Sequence, residues 1–195
     1  MLIPLGPARY EVEIKRSRFI AEISGCVTRD EAESILSRRR EAHPGAAHVV
    51  YAFSLGDERS RQFGMSDDGE PKGTAGRPVL EVLRGSGVTD CILTVVRYFG
   101  GTKLGTGGLV HAYGDAAKGC IAILETTRKR VLKEHLLIVP YELYQPVRTI
   151  IDEMHGEILD ERFTETVAIE VGVDLDREGE FRRRLDDVSR GTISF

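Results

Sequence analysis

Residues 90–99 read DCILTVVRYF, a run in which β-branched and large apolar side chains follow one another almost without a polar break. A strand points successive side chains to opposite faces, so apolar residues at both parities need cover on both sides. The run therefore demands a central strand, and the rest of the chain has to supply layers around it. It is followed by GGTKLGTGG, five glycines between residues 100 and 108, and then by LVHAYGDAAKGCIAILE. The small residues Ala112, Gly114, Ala116, Ala117 and Gly119 suit a helix from about Thr106 to Leu124 that packs closely on a sheet.

Upstream, RYEVEIKRSRFIAEISGC alternates apolar and polar residues and breaks at Lys15–Ser17, which predicts a hairpin from Tyr10 to Gly25. TRDEAESILSRRREAH starts a helix, with Thr28 as N-cap, Glu31 at the capping-box position and Arg38–Arg40 near the end; Pro44 and Gly45 stop it. AAHVVYAFSLG is a strand, the stretch from Asp57 to Pro78 is a long polar loop, and Ala75–Leu83 is a short helix. After TTRKR the pattern restarts as strand 129–139, helix 141–154, strands 157–163 and 166–173, helix 176–189 and strand 191–195. This is the βαββαβ order of a ferredoxin-like unit, so the expected class is α+β in two domains, 1–126 and 127–195.

No apolar run reaches the roughly 20 residues of a membrane span, and MLIPLGPARYEVEIKRSRF lacks a signal-peptide pattern, so the expected location is cytoplasmic, without a membrane partner. Cys26, Cys91 and Cys120 stand singly in apolar surroundings, which reads as buried, reduced thiols. The net charge of −4 excludes binding to polyanions by bulk positive charge. Residues 1–126 carry 16 basic and 16 acidic side chains, whereas residues 127–195 carry 11 and 15, so any polyanion site is expected in the first part.

Two readings of the glycine loop stay open. Main-chain N–H groups at a helix start, bracketed by Arg97 and Lys103, have the physics of a phosphate cradle; equally, the glycines could serve only a tight turn. The loop matches neither the Walker pattern nor the dinucleotide fingerprint. In SDDGEPKGTAGRP, Asp67, Asp68 and Glu70 lack the remaining ligands of a calcium loop, so pairing with cations or capping of turns is the better reading, and no metal or cofactor is expected. His43 and His48 read as structural, and His111, one turn into the helix, as a further anion contact. Of Tyr98 and Phe99, alternation leaves at most one free to stack on a base.

At these residues the chain resembles a known family. AAHVVYAFSLG, SDDGEPKGTAGRPVLEVL and VVRYFGGTKLGTGGLVHAY together resemble the YigZ/IMPACT family, in its bacterial YigZ-like branch. The matching positions are Asp68, Gly69, Glu70, Pro71, Gly73, Thr74, Ala75, Gly76 and Pro78, then Arg97 to Gly101, Lys103, Leu104, Gly105 and Gly107 to Leu109. His111 stands where the family pattern leads one to expect arginine. The resemblance implies a first domain of the type of the second domain of a small-subunit ribosomal protein and of domain IV of elongation factor G. In that type a four-stranded sheet carries two helices on one face. It implies a second domain like domain V of the same factor, and a role near RNA, the ribosome or translation control.

The expected function is a non-catalytic RNA- or ribosome-binding protein and translation regulator. Its expected phosphate-contacting residues are Lys72, Arg77, Arg97, Tyr98, Gly100, Gly101, Lys103, Gly105, Gly107, Gly108 and His111. The alternatives are an enzyme or nucleotide-binding protein acting on a phosphorylated small molecule, and a protein-binding regulator. No catalytic group is read from the sequence.

Overall fold

The computed structural model describes residues 1–58 and 60–193. A first unit, residues 1–129, contains β1 (Leu2–Pro4), β2 (Ala8–Ile14), β3 (Ser17–Gly25), α1 (Arg29–Ala42), β4 (His48–Leu55), β5 (Gln62–Ser66), α2 (Gly76–Ser86), β6 (Cys91–Tyr98), α3 (Gly105–Ala122) and β7 (Thr126–Arg128). A second, residues 130–195, contains β8 (Leu132–Val139), α4 (Tyr141–Glu153), β9 (Glu157–Phe163), β10 (Val167–Asp174), a 3-10 turn at Leu175–Arg177 and α5 (Glu178–Ser189).

The apolar run becomes β6, the middle strand of an antiparallel sheet in the order β2-β3-β6-β4-β5. Its alternation divides the core. Leu93 and Val95 meet Val79 and Leu83 of α2 and Leu109, Ala112, Tyr113, Ala116 and Ala117 of α3. Ile92 and Val96 face the other way, toward Ala32, Ile35 and Leu36 of α1. This corrects the expectation of a four-stranded sheet with helices on one face: there are five strands and helices on both faces. The two-parity run explains why, since a bare second face would leave Ile92, Val96, Ile20 and Phe53 in water.

Helix α1 begins as its sequence dictates. Thr28 Oγ1 accepts the Glu31 N–H at 3.2 Å, and Glu31 Oε2 accepts the Val27 N–H at 2.7 Å. The stretch read as one long polar loop contains β5, which pairs with β4 and places Gly64 where a side chain would collide with the Phe53 ring. Short β1, also absent from the sequence reading, pairs with β7 and ties the start of the unit to its end.

In the second unit the strands pair antiparallel in the order β8-β10-β9. Val147, Ile150 and Ile151 of α4 and Phe181 and Leu185 of α5 cover one sheet face, packing on Leu137, Val139, Ile169 and Val171. Of the strand expected at 191–195, residues 191–193 form a turn and an irregular end, and residues 194–195 lie outside the described residues. Among the described residues no helix is long and apolar enough to cross a membrane.

All three cysteines are free and buried. Burial pushes the Cys26 thiol up to about 12 and the Cys120 thiol up to about 11, and raises that of Cys91 as well. The expected outcome is that Ellman's reagent at mildly alkaline pH finds no fast-reacting thiol in the folded protein and all three after denaturation; a fast thiol in the native state would contradict this packing.

Candidate functional site

Four residues separate the end of α2 from the start of β6, and six separate the end of β6 from the start of α3. Both helices therefore run back along the sheet and start at the same end of it, the end that also holds the start of β4 and the β2–β3 turn. Helix N-termini carry unpaired N–H groups and partial positive charge, and this end of the unit has two of them.

The chain fills the first itself. Asp67 Oδ1 accepts the N–H groups of Ala75 at 3.1 Å and Gly76 at 2.8 Å, and Oδ2 accepts that of Gly73 at 2.8 Å. Partial burial pushes the Asp67 carboxyl up, but the three N–H groups of Gly73, Gly76 and Ala75 outweigh it and hold the group below its ordinary value. A Cβ at Gly76 would lie 2.7 Å from the Ser66 carbonyl, which is why glycine stands where α2 meets this loop.

The second N-terminus is left open. Among the described residues no side chain caps α3 at Leu104, and its first turn holds no acid. Lys103, Thr106, Gly107 and His111 are exposed around it. The glycines divide by cause. A Cβ at Gly100 would overlap the backbone carbonyl of Arg16, while Gly101 and Gly105 sit at φ +85° and +74°. Gly107 is different: its φ is helical and a Cβ would meet nothing within 4 Å. Close packing and backbone angle thus account for Gly100, Gly101 and Gly105, and neither accounts for Gly107.

Beneath the loop lies a buried polar cluster. Glu70 Oε1 accepts from the Arg97 guanidinium at 2.6 Å and from the Tyr113 hydroxyl at 2.8 Å, with His48 Nε2 at 3.7 Å. Burial raises the Tyr113 phenol, and the charge of Glu70 and the hydrogen bond to it add to the shift. Ser17 Oγ accepts the Gly100 N–H at 3.2 Å, fastening the loop to β3. Asp68 accepts from Arg40 at 2.9 Å and from the Val49 N–H at 2.7 Å, and its carbonyl pairs with His48 Nδ1 at 2.7 Å. Asp67, Asp68 and Glu70 thus cap and pair, as the sequence suggests.

The sequence-derived site residues separate accordingly. Lys103, Gly105, Gly107, Gly108 and His111 surround the open start of α3, and Gly100 and Gly101 lead into it. Lys72 and Arg77 are exposed near the start of α2, at the same end of the sheet. Arg97, read as a phosphate contact, is instead buried and paired with Glu70; strand alternation aims it at the α2–α3 face, opposite Phe19. Tyr98 faces the α1 side, its hydroxyl 2.8 Å from His43 Nδ1 and its ring under the Arg18 guanidinium. The exposed ring is Phe99, 52% accessible, with the Arg97 guanidinium 5.5 Å from its centroid. Sequence reasoning missed Lys15 and Arg16, both exposed and at positive φ in the β2–β3 turn. The break in alternation marked that turn, but only β3–β6 pairing sets it against Gly100.

Residues 15–121 match the family model of the Impact N-terminal domain, and residues 137–192 match that of a domain of unknown function, DUF1949. The chain belongs to the IMPACT family. It is 38% identical to the IMPACT family member YigZ of Escherichia coli (strain K12) over 193 residues, 98% of this chain and 95% of that one. It is 34% identical to an IMPACT family member of Haemophilus influenzae, over 98% of this chain and 94% of that one. A crystal structure of a hypothetical protein, 38% identical, superposes with a TM-score of 0.72 over 99% of this chain and 94% of that one. The cluster and both helix starts lie within the segment matched by the IMPACT model.

Glycine substitutions test the geometry. Gly100→Ala is expected to cost about 1–3 kcal/mol by overpacking, and Gly107→Ala to stabilise by about 0.5–1 kcal/mol through helix propensity, both read from urea denaturation. Asp67→Ala is expected to cost about 0.5–2 kcal/mol at neutral pH. Because the folded-state pKa of Asp67 is depressed, its contribution is present above the unfolded value of about 3.9 and is lost as pH falls through the folded value. The gap between wild type and Asp67→Ala should therefore hold constant from neutral pH to about pH 4 and close below it.

Proposed function

We propose that this IMPACT-family protein binds RNA, alone or on the ribosome, without catalysis, through the open N-terminus of α3, and that it acts in the regulation of translation in the cytoplasm. One observation carries the reading. Of two helix starts at one end of the sheet, α2 is neutralised by Asp67, and α3 has neither an acid in its first turn nor a side-chain cap among the described residues. Lys103 and the Lys15–Arg16 turn flank that opening, and Phe99 stands exposed beside it. N–H groups and lysines serve phosphate; an exposed ring serves an unpaired base. Lys72, Arg77 and His111 extend the same end. Arg97 acts from below, holding Phe99 and the strand end in place through Glu70.

The domain types implied by the family resemblance belong to this proposal. The order β8-β10-β9 with two helices on one face supports a ferredoxin-like second unit. We read the first unit as the ribosomal-protein type with α1 added on the second sheet face.

The test is binding of a labelled single-stranded RNA, a structured RNA and ribosomes as a function of salt. Replacing Lys15 and Lys103 by Ala is expected to weaken binding and to flatten the log–log salt slope by about one per lysine; unchanged affinity and slope would overturn the site. The chain has no tryptophan, so Phe99→Trp gives a fluorophore at one known place. Its emission should be quenched by the RNA strand and not by inorganic pyrophosphate, and Phe99→Ala should cost about 1–3 kcal/mol of single-strand affinity.

A further inference from the structure

We propose that the open face of the second unit's sheet docks a basic amphipathic helix of a protein partner. An antiparallel sheet can leave a polar face in water, but an apolar strip on that face is surface a partner can cover. Helices α4 and α5 cover the other face, over Leu137, Val139, Ile169 and Val171. The alternate residues point away from them. Leu136 and Ile138 of β8 are 46% and 39% exposed, and strand register sets them opposite Glu170 and Ala168 of β10. Leu132 lies on the same face over Gly172, where an added Cβ would come within 3.1 Å of it. Leu132, Leu136, Ile138 and Ala168 thus form an apolar strip along one side of the face.

Charge selects the occupant. Register puts Glu134, Glu170, Asp174, Asp160 and Glu157 on this face, with Arg162 and Arg130 as the cations among them. Each guanidinium is shared by two carboxylates: Arg162 by Asp160 and Glu170 at 3.1 and 2.7 Å, Arg130 by Glu157 and Asp174 at 3.3 and 3.1 Å. Five carboxylates to two guanidiniums leave a negative rim, which repels a nucleic-acid backbone and attracts lysine and arginine. A helix with an apolar stripe between basic flanks matches the strip and the rim together, and it covers the face as α4 and α5 cover the other.

The test uses the full chain and a fluorescent helical peptide of Leu and Lys, about 18 residues or five turns long, read by anisotropy. A Leu/Glu peptide of the same pattern is the control. The Leu/Lys peptide should bind, and the control should not. Leu136→Asp with Ile138→Asp should weaken binding about tenfold or more, as loss of an interface anchor does, although it adds negative charge; Leu136→Ser with Ile138→Ser should do the same. Circular dichroism should stay native for both pairs, because the positions are exposed. Unchanged or tighter binding in the Asp pair, equal binding of the Leu/Glu peptide, no binding at all, or displacement of the peptide by single-stranded RNA would each overturn the proposal.

Discussion

Glu70 and Arg97 meet inside the first unit, side chains 4% and 7% exposed, with the Tyr113 hydroxyl completing the carboxylate's shell. Three segments distant in sequence are held at that point: the loop before α2, the end of β6 and the third turn of α3. A buried pair of this kind is poor evidence for stability in itself, because desolvation offsets much of the attraction. Its importance is geometric. A single carboxylate oxygen accepting two donors fixes where the loop lies over the sheet end, and so places Asp67 at the α2 amides. The guanidinium it orients also backs the Phe99 ring, and a long contact of 3.5 Å runs from it to Ser17, whose hydroxyl holds Gly100.

With that end fixed, the asymmetry between the two helix starts becomes chemically meaningful. Both offer the same N–H groups and the same sign of partial charge. An acidic side chain nine residues upstream satisfies one, and for the other the chain supplies lysine, threonine and glycine instead. Gly107 fits the pattern. Glycine in a helix costs about 1 kcal/mol against alanine, and no neighbour or backbone angle requires it there.

Most of the elements could be read from residues alone. The Thr28 and Glu31 cap, the hairpin from alternation and the small-residue helix α3 all rest on local rules that tertiary packing reinforces. The misses have a common origin. Strands β1 and β5 are short and lack a periodic core face, and they exist because β7 and β4 offer them an edge. The second helical layer was implicit in the two-parity run of β6, and the family analogy to a one-faced sheet obscured it. Arg97 and Tyr98 looked alike from the sequence, a polar and an aromatic group beside a glycine loop. Cross-strand register sends one inward to Glu70 and the other to His43, leaving Phe99 outside.

The sequence by itself determined that a central strand runs into a glycine-rich helix start, that the acidic excess lies in the second unit, and which family the chain resembles. The first two follow from local periodicity and composition and the third from the matching motifs, and none of them needs a partner in space. Tertiary structure alone decided which cations remain at the surface and which are consumed. Arg97 and Arg40 are taken by Glu70 and Asp68, while the Lys15–Arg16 turn is brought against Gly100 from 84 residues away in the chain. A charge is available to a ligand only if the fold has not already paired it, and pairing depends on distance in space.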